Sequence, residues 1–180
     1  GAALSATEIN DILYQHNLLR LSTTPAAVHM PLLRWSAELS NGAASYINTC
    51  PGFVHSASSV RQNTLGWNYI GENLAGGMEY TPEFGWNTAI EMWGKEKEFY
   101  NYSASCPGDE KVCGTCTPEA PYTSCGHYTQ VVWANTTEVG CAYKYCAGDP
   151  QEIYGYYVCW YGAGGNIQDQ SPFENGIPEP

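Results

Sequence analysis

Two side chains in this sequence have both the chemistry and the setting to do work: the imidazole of His127 and the carboxylate of Glu96. His127 stands in Cys125-Gly126-His127-Tyr128-Thr129-Gln130-Val131-Val132-Trp133. The β-branched and aromatic run at its end predicts a buried strand from Tyr128 to Trp133, with the imidazole at its leading edge. An imidazole there serves as general base or metal ligand, or equally as a hydrogen-bonded structural group. Glu96 follows Trp93 by three residues and precedes Tyr100 by four, so in a helix it shares the apolar stripe of Trp86, Ala89, Ile90 and Trp93. A carboxylate drawn into such a face needs a cation, a metal or several donors, unless it curls out to water beside Lys97.

Other polar residues are less demanding. His16 falls on the inner stripe of a predicted first helix, where a packed histidine bonded to backbone is the expectation. His55 and Glu72 lie in a glycine-broken region, and their spacing matches no compact metal motif. Cys113-Gly114-Thr115-Cys116 has the spacing of a redox or zinc half-site. No second Cys-x-x-Cys completes a zinc ribbon and no strand precedes the pair, so a disulfide-stapled loop is expected. For nucleophilic chemistry the candidates are poor: Ser56 directly follows His55, so in an extended segment the two side chains diverge.

The elements that must position these groups read as a mixture of helices and strands. Ser5-Ala6-Thr7-Glu8 has capping-box spacing and opens a helix over 6–21. Ser36 caps a second helix carrying Leu39, Ala43, Tyr46, Ile47 and Cys50 along one side, stopped by Pro51-Gly52. Residues 51–80 read as loops with short extended pieces. Thr81-Pro82-Glu83 starts a third helix that runs to about Asn101. Val139–Tyr145 and Ile153–Trp160 form an antiparallel strand pair in which Cys141 and Cys159 can meet. Residues 168–180, rich in proline and acid, read as an extended, peripheral tail.

With 180 residues the chain suits one domain, 1–180. Seven Lys and Arg against 18 Asp and Glu give a formal net charge of −11, which argues against nucleic acid or anionic lipid as an electrostatic partner. No apolar run approaches the ~20 residues of a membrane span. Eight cysteines and two sequons, at Asn101 and Asn135, predict a secreted, extracellular and glycosylated protein.

Gly126-His127-Tyr128-Thr129-Gln130-Val131-Val132-Trp133 and Tyr156-Tyr157-Val158-Cys159-Trp160-Tyr161-Gly162-Ala163-Gly164-Gly165-Asn166-Ile167 resemble the two signatures of the CAP superfamily: cysteine-rich secretory proteins, antigen 5 and pathogenesis-related class 1 proteins. The second departs at Trp160, where the family usually has a polar residue. His16-Asn17-x-x-Arg20, Leu33-x-Trp35, Cys50 followed by His55-Ser56, Gly71-Glu72-Asn73-Leu74-Ala75 and Met92-Trp93-Gly94-Lys95-Glu96 fall in the family's order, so the likeness spans about residues 8–167.

The resemblance implies an α+β fold, a three-layer α-β-α sandwich with a central antiparallel sheet stapled by disulfides. It implies a central cavity lined by His55, Glu72, Glu96 and His127, holding Zn²⁺ or another divalent cation, or else a metal-free hydrogen-bonded cluster. It pairs Cys50 with Cys146, Cys141 with Cys159 and Cys106 with Cys125, leaving Cys113 with Cys116. Cys106 with Cys113 and Cys116 with Cys125 also close sensible loops.

By function the resemblance implies a secreted binding protein, not a dedicated enzyme, in defence or host interaction. Its ligand would be a small lipid or sterol, for which Trp67, Tyr69, Tyr80, Phe84, Trp86 and Trp93 supply an apolar groove. The alternatives are a His/Glu-dependent hydrolase, with or without metal, and a module recognising a channel or receptor. The expected oligomeric state is a monomer.

Overall fold

Ser5 opens the first helix as its spacing predicts. Its hydroxyl accepts from the Glu8 N–H while the Glu8 carboxylate returns to the Ser5 N–H, both at 3.1 Å. The computed structural model describes residues 3–77, 85–148, 150 and 154–176. In chain order these form α1 (Ala6–Leu21), β1 (Ala27–Val28), β2 (Arg34–Trp35), α2 (Ala37–Ile47), a 3₁₀ turn (Ser58–Arg61), β3 (Gln62–Thr64), β4 (Trp67–Tyr69) and β5 (Gly71–Gly77). Then follow α3 (Trp86–Lys95), a second 3₁₀ turn (Glu96–Phe99), β6 (Tyr100–Asn101), β7 (Thr115–Cys116), α4 (Gly126–Val131), β8 (Glu138–Tyr145), β9 (Gly155–Gly162) and β10 (Glu174–Asn175).

The central sheet has the order β2-β8-β9-β5. Its three long strands are antiparallel, and the short β2 joins β8 in parallel at one edge. Period-two alternation sends Val139 and Cys141 of β8 and Tyr157, Cys159 and Tyr161 of β9 to one face, where Ile12, Ala89, Ile90, Trp93, Val131 and Val132 cover them. Ala142, Val158 and Trp160 go to the other face, under Leu39, Ala43 and Ile47 of α2. Helices therefore lie on both sides of the sheet, and β9 is buried along its whole length. Each fully buried leucine or isoleucine of these layers contributes roughly 2 kcal/mol. Gly140 sets how closely α2 approaches, because a Cβ there would lie 2.2 Å from the Ser40 nitrogen and 2.4 Å from the Ser36 oxygen.

On α1, Ile12, His16 and Arg20 are buried whereas Tyr14, Leu18 and Leu21 face solvent. Both buried polar groups are hydrogen-bonded to the surrounding elements. The His16 Nδ1–H donates to the Ile12 carbonyl at 2.8 Å, which leaves Nε2 to accept the Tyr161 hydroxyl, also at 2.8 Å. Burial lowers the His16 pKa to about 4, against the smaller opposing effect of its backbone hydrogen bond. Arg20, with no carboxylate partner among the described residues, donates to the carbonyls of Pro31, Val131, Trp133 and Thr136 at 2.8–2.9 Å.

Four expectations need correcting. The segment from Tyr128 to Trp133 is not a strand: Gly126–Val131 forms α4. The third helix, where described, begins at Trp86 and tightens at Glu96 into a 3₁₀ turn, with Tyr100 and Asn101 already extended; Thr81 and Pro82 lie outside the described residues. The bridges are Cys50–Cys146, Cys141–Cys159, Cys106–Cys113 and Cys116–Cys125, so the implied Cys106–Cys125 and Cys113–Cys116 pairing gives way to two short loops in succession. The tail, where described, is not peripheral. Phe173 is buried against Tyr102, and β10 pairs with β1.

Candidate functional site

Glu96 directly follows α3, where the chain tightens into the 3₁₀ turn, and is only 4 % exposed. Its Oε1 accepts the backbone N–H groups of His127 and Tyr128, at 2.9 and 3.1 Å, and its Oε2 accepts the His127 Nδ1–H at 2.6 Å. The residue preceding α4, Cys125, makes no side-chain cap, so a carboxylate from another element satisfies the helix's first donors. His127 consequently sits in the first turn of a helix, not at a strand edge. Trp93 stacks on its ring with centroids 6.1 Å apart and planes 8° from parallel. Asn73 of β5 donates to its carbonyl at 3.1 Å.

A second pair repeats this chemistry one residue away along β5. The Glu72 side chain, 1 % exposed, accepts the His55 Nδ1–H at 2.7 Å and the Ser56 N–H at 2.9 Å on Oε1. Its Oε2 accepts the Ser56 hydroxyl at 2.6 Å and the Trp160 indole N–H at 2.8 Å. Arg61 stands 3.8 Å from that oxygen and donates to Ser56 Oγ at 2.7 Å. Burial alone would raise the Glu72 carboxyl, but bonds from His55, Ser56 and Trp160, with the Arg61 charge, outweigh it and hold the group below its ordinary range. The His55 and Ser56 side chains do not diverge as expected: both reach the same carboxylate.

The four residues named by the resemblance are organised as two His–Glu pairs, each in contact with β5, which supplies Glu72 to one and Asn73 to the other. Among the described residues, no three His, Cys, Asp or Glu side chains gather in a way that could hold a metal ion. The carboxylates are already engaged, with four donors on Glu72 and three on Glu96. The imidazole Nε2 atoms of His55 and His127 have no hydrogen-bond partner among the described residues, and the side chains are 58 % and 30 % exposed. Ser56, Arg61, Asn73 and Trp160 were not singled out for the site by their spacing. Ser56 and Asn73 stand inside stretches that carry the resemblance and Trp160 is its departure, whereas Arg61 gave no signal.

Four of the six aromatic residues expected to form a groove are described. Trp86 and Trp93 are core residues, Trp67 and Tyr69 lie half-exposed against Gly162 and Gly164, and Tyr80 and Phe84 lie outside the described residues. Asn101 and Asn135 are both exposed. Among the described residues the Ser56 hydroxyl is committed to Glu72 and Arg61, and no cysteine is free. No helix among the described residues is long and apolar enough to cross a membrane.

A model of the cysteine-rich secretory protein family, CAP, matches residues 13–161. Cysteine-rich secretory protein 2 of Cavia porcellus is 34 % identical over 171 residues, covering 94 % of this chain and 62 % of the relative. The cysteine-rich venom protein helothermine of Heloderma horridum horridum is 33 % identical over 174 residues, covering 96 % and 63 %. The chain thus spans less than two thirds of the length of these relatives. Among solved structures, venom allergen-like protein 4 of Schistosoma mansoni superposes with a TM-score of 0.70 at 23 % identity, covering 97 % of both chains. NaASP2, solved with Zn²⁺, gives 0.69 at 24 % identity over 97 % of this chain and 89 % of that one.

Proposed function

Because the chain belongs to the cysteine-rich secretory protein family, CAP, we propose that it is an extracellular binding domain whose two exposed imidazoles, His55 and His127, take a divalent cation. One observation carries this reading. Each imidazole gives its Nδ1–H to a buried carboxylate, which fixes the tautomer and leaves Nε2 as the free donor. That is the outer-shell arrangement by which proteins aim metal-ligating histidines. In this reading the cation has two protein ligands, with Glu72 and Glu96 as orienting groups behind them. A bound Zn²⁺ supplies open coordination positions to which an oxygen or nitrogen ligand can add. NaASP2, a neighbour in fold, was solved with that ion.

Secretion accords with four disulfides and with relatives named as secretory and venom proteins. Binding of a small lipid or sterol draws less support, since Trp86 and Trp93 are spent in the core. Hydrolysis draws less still, with Ser56 engaged and no free thiol.

Isothermal titration of the chelator-stripped protein with Zn²⁺ tests the reading. Saturable binding is expected, at least about tenfold weaker in His55→Ala and in His127→Ala and unaltered in the exposed control His29→Ala. Equal affinity in the His55→Ala/His127→Ala double variant would overturn it.

A further inference from the structure

Glu72 and Trp160 face each other directly across β5 and β9, on the side of the sheet that α2 covers. The indole reaches that carboxylate because α2 yields space above it. A Cβ at Gly42 would lie 2.4 Å from Trp160 Cζ3, so the ring occupies room that any larger residue would take. Both partners are buried, Trp160 at 4 % and Glu72 at 8 % exposure.

A carboxylate turns easily about its last torsion, and either oxygen can serve a single imidazole partner. Here the two oxygens are not equivalent. Trp160 Nε1 and Ser56 Oγ hold Oε2, and Oε1 is left to the His55 ring and the Ser56 N–H. An indole N–H only donates and does not titrate, so this bond cannot reverse as a hydroxyl or amide can. The indole ring is immobilised by the layer it packs in, and the carboxylate inherits that rigidity.

We propose that Trp160 is a positioning residue for His55: it fixes the Glu72 carboxylate so that one oxygen always faces the imidazole and Nε2 always faces outward. This role rests on the cation-binding reading only for its purpose, not for its geometry, and the two are tested apart.

The first measurement is Zn²⁺ affinity in Trp160→Phe, which removes the N–H and keeps an aromatic ring. A loss of about tenfold is expected, the effect typical of removing an outer-shell partner. The second is the side-chain ¹⁵N spectrum of the metal-free protein. Wild type is expected to show His55 as a single tautomer protonated at Nδ1, and Trp160→Phe a mixture, with His127 unchanged as the internal control. Unaltered affinity together with an unaltered His55 tautomer would overturn the proposal. If wild type takes up no Zn²⁺, the cation reading fails while the tautomer measurement still decides the role of Trp160. If Trp160→Phe does not fold, solvent exchange of the Trp160 indole proton decides. Protection in wild type that is lost in Glu72→Ala supports the bond, and equal exchange in both refutes it.

Discussion

Glu96 and Arg20 grip opposite ends of one six-residue helix: the carboxylate accepts from the first N–H groups of α4, and the guanidinium donates to carbonyls at and just beyond its end. Their signs match the helix dipole, negative at the N-terminus and positive at the C-terminus. Neither belongs to α4 itself. A helix this short is not stable alone, and these two residues, from α1 and the 3₁₀ turn after α3, supply partners for both of its ends.

Arg20→Leu is expected to destabilise the protein by about 3 kcal/mol or more, because it leaves several buried carbonyls without a donor. Urea unfolding measures this, and a loss below about 1 kcal/mol would contradict the clamp. The His127 backbone amide shift should move as well, since α4 carries both contacts.

Acid should weaken the fold in two steps. His16 is neutral in the native state down to about pH 4, whereas the unfolded chain protonates it near 6.5. Below 6.5 the unfolded state binds the extra proton, so stability falls with pH and levels off near 4, by about 3 kcal/mol in all. Glu72 acts in the other sense of charge but the same direction: its native carboxyl lies below the ordinary 4.5, so its contribution is complete above that value and is lost as pH falls beneath it. Urea midpoints at pH 7, 5.5 and 4.5 therefore report mainly His16, and a His16→Gln variant should flatten that slope.

The bridges differ in the span they close. Cys50 and Cys146 are 96 residues apart and Cys106 and Cys113 only seven. On chain-entropy grounds, replacing the first pair by alanine costs about 4–5 kcal/mol and the second about 2–3. Thermal unfolding of the two double variants ranks them. Peptide mapping without reduction should recover Cys106 with Cys113 and Cys116 with Cys125.

Asn101 and Asn135 are exposed, so glycans at either site meet no packed surface. Secreted expression in a eukaryotic host should add mass at both, removable by Asn101→Gln and Asn135→Gln with little change in melting temperature.

Much of the framework was legible in local chemistry. Ser5 and Ser36 mark true helix starts, and β8 and β9 follow their apolar pattern with Cys141 opposite Cys159. Glu96 was correctly drawn inward, because its place on the stripe of Trp93 fixed its direction even though the helix tightens there. The residues from Tyr128 to Trp133 were misread since a short run buried on every side has no period to distinguish strand from helix. Its conformation is decided by Glu96 and Arg20, 31 and 111 positions away in sequence from the groups they meet. The partners of Glu72 were hidden for the same reason: Trp160 meets it only through sheet register.

The pairing of β1 with β10 sets the boundary for anyone trimming this protein. A fragment cut to the residues that identify the family, 13–161, discards the Ser5 cap, the end of β9 and Phe173 together. Tyr102 would lose its stacking partner and the edge of β1 would stand open to another chain. The span that the family model matches is thus smaller than what closes the core, and the working unit for expression extends from before Ser5 to at least Gly176.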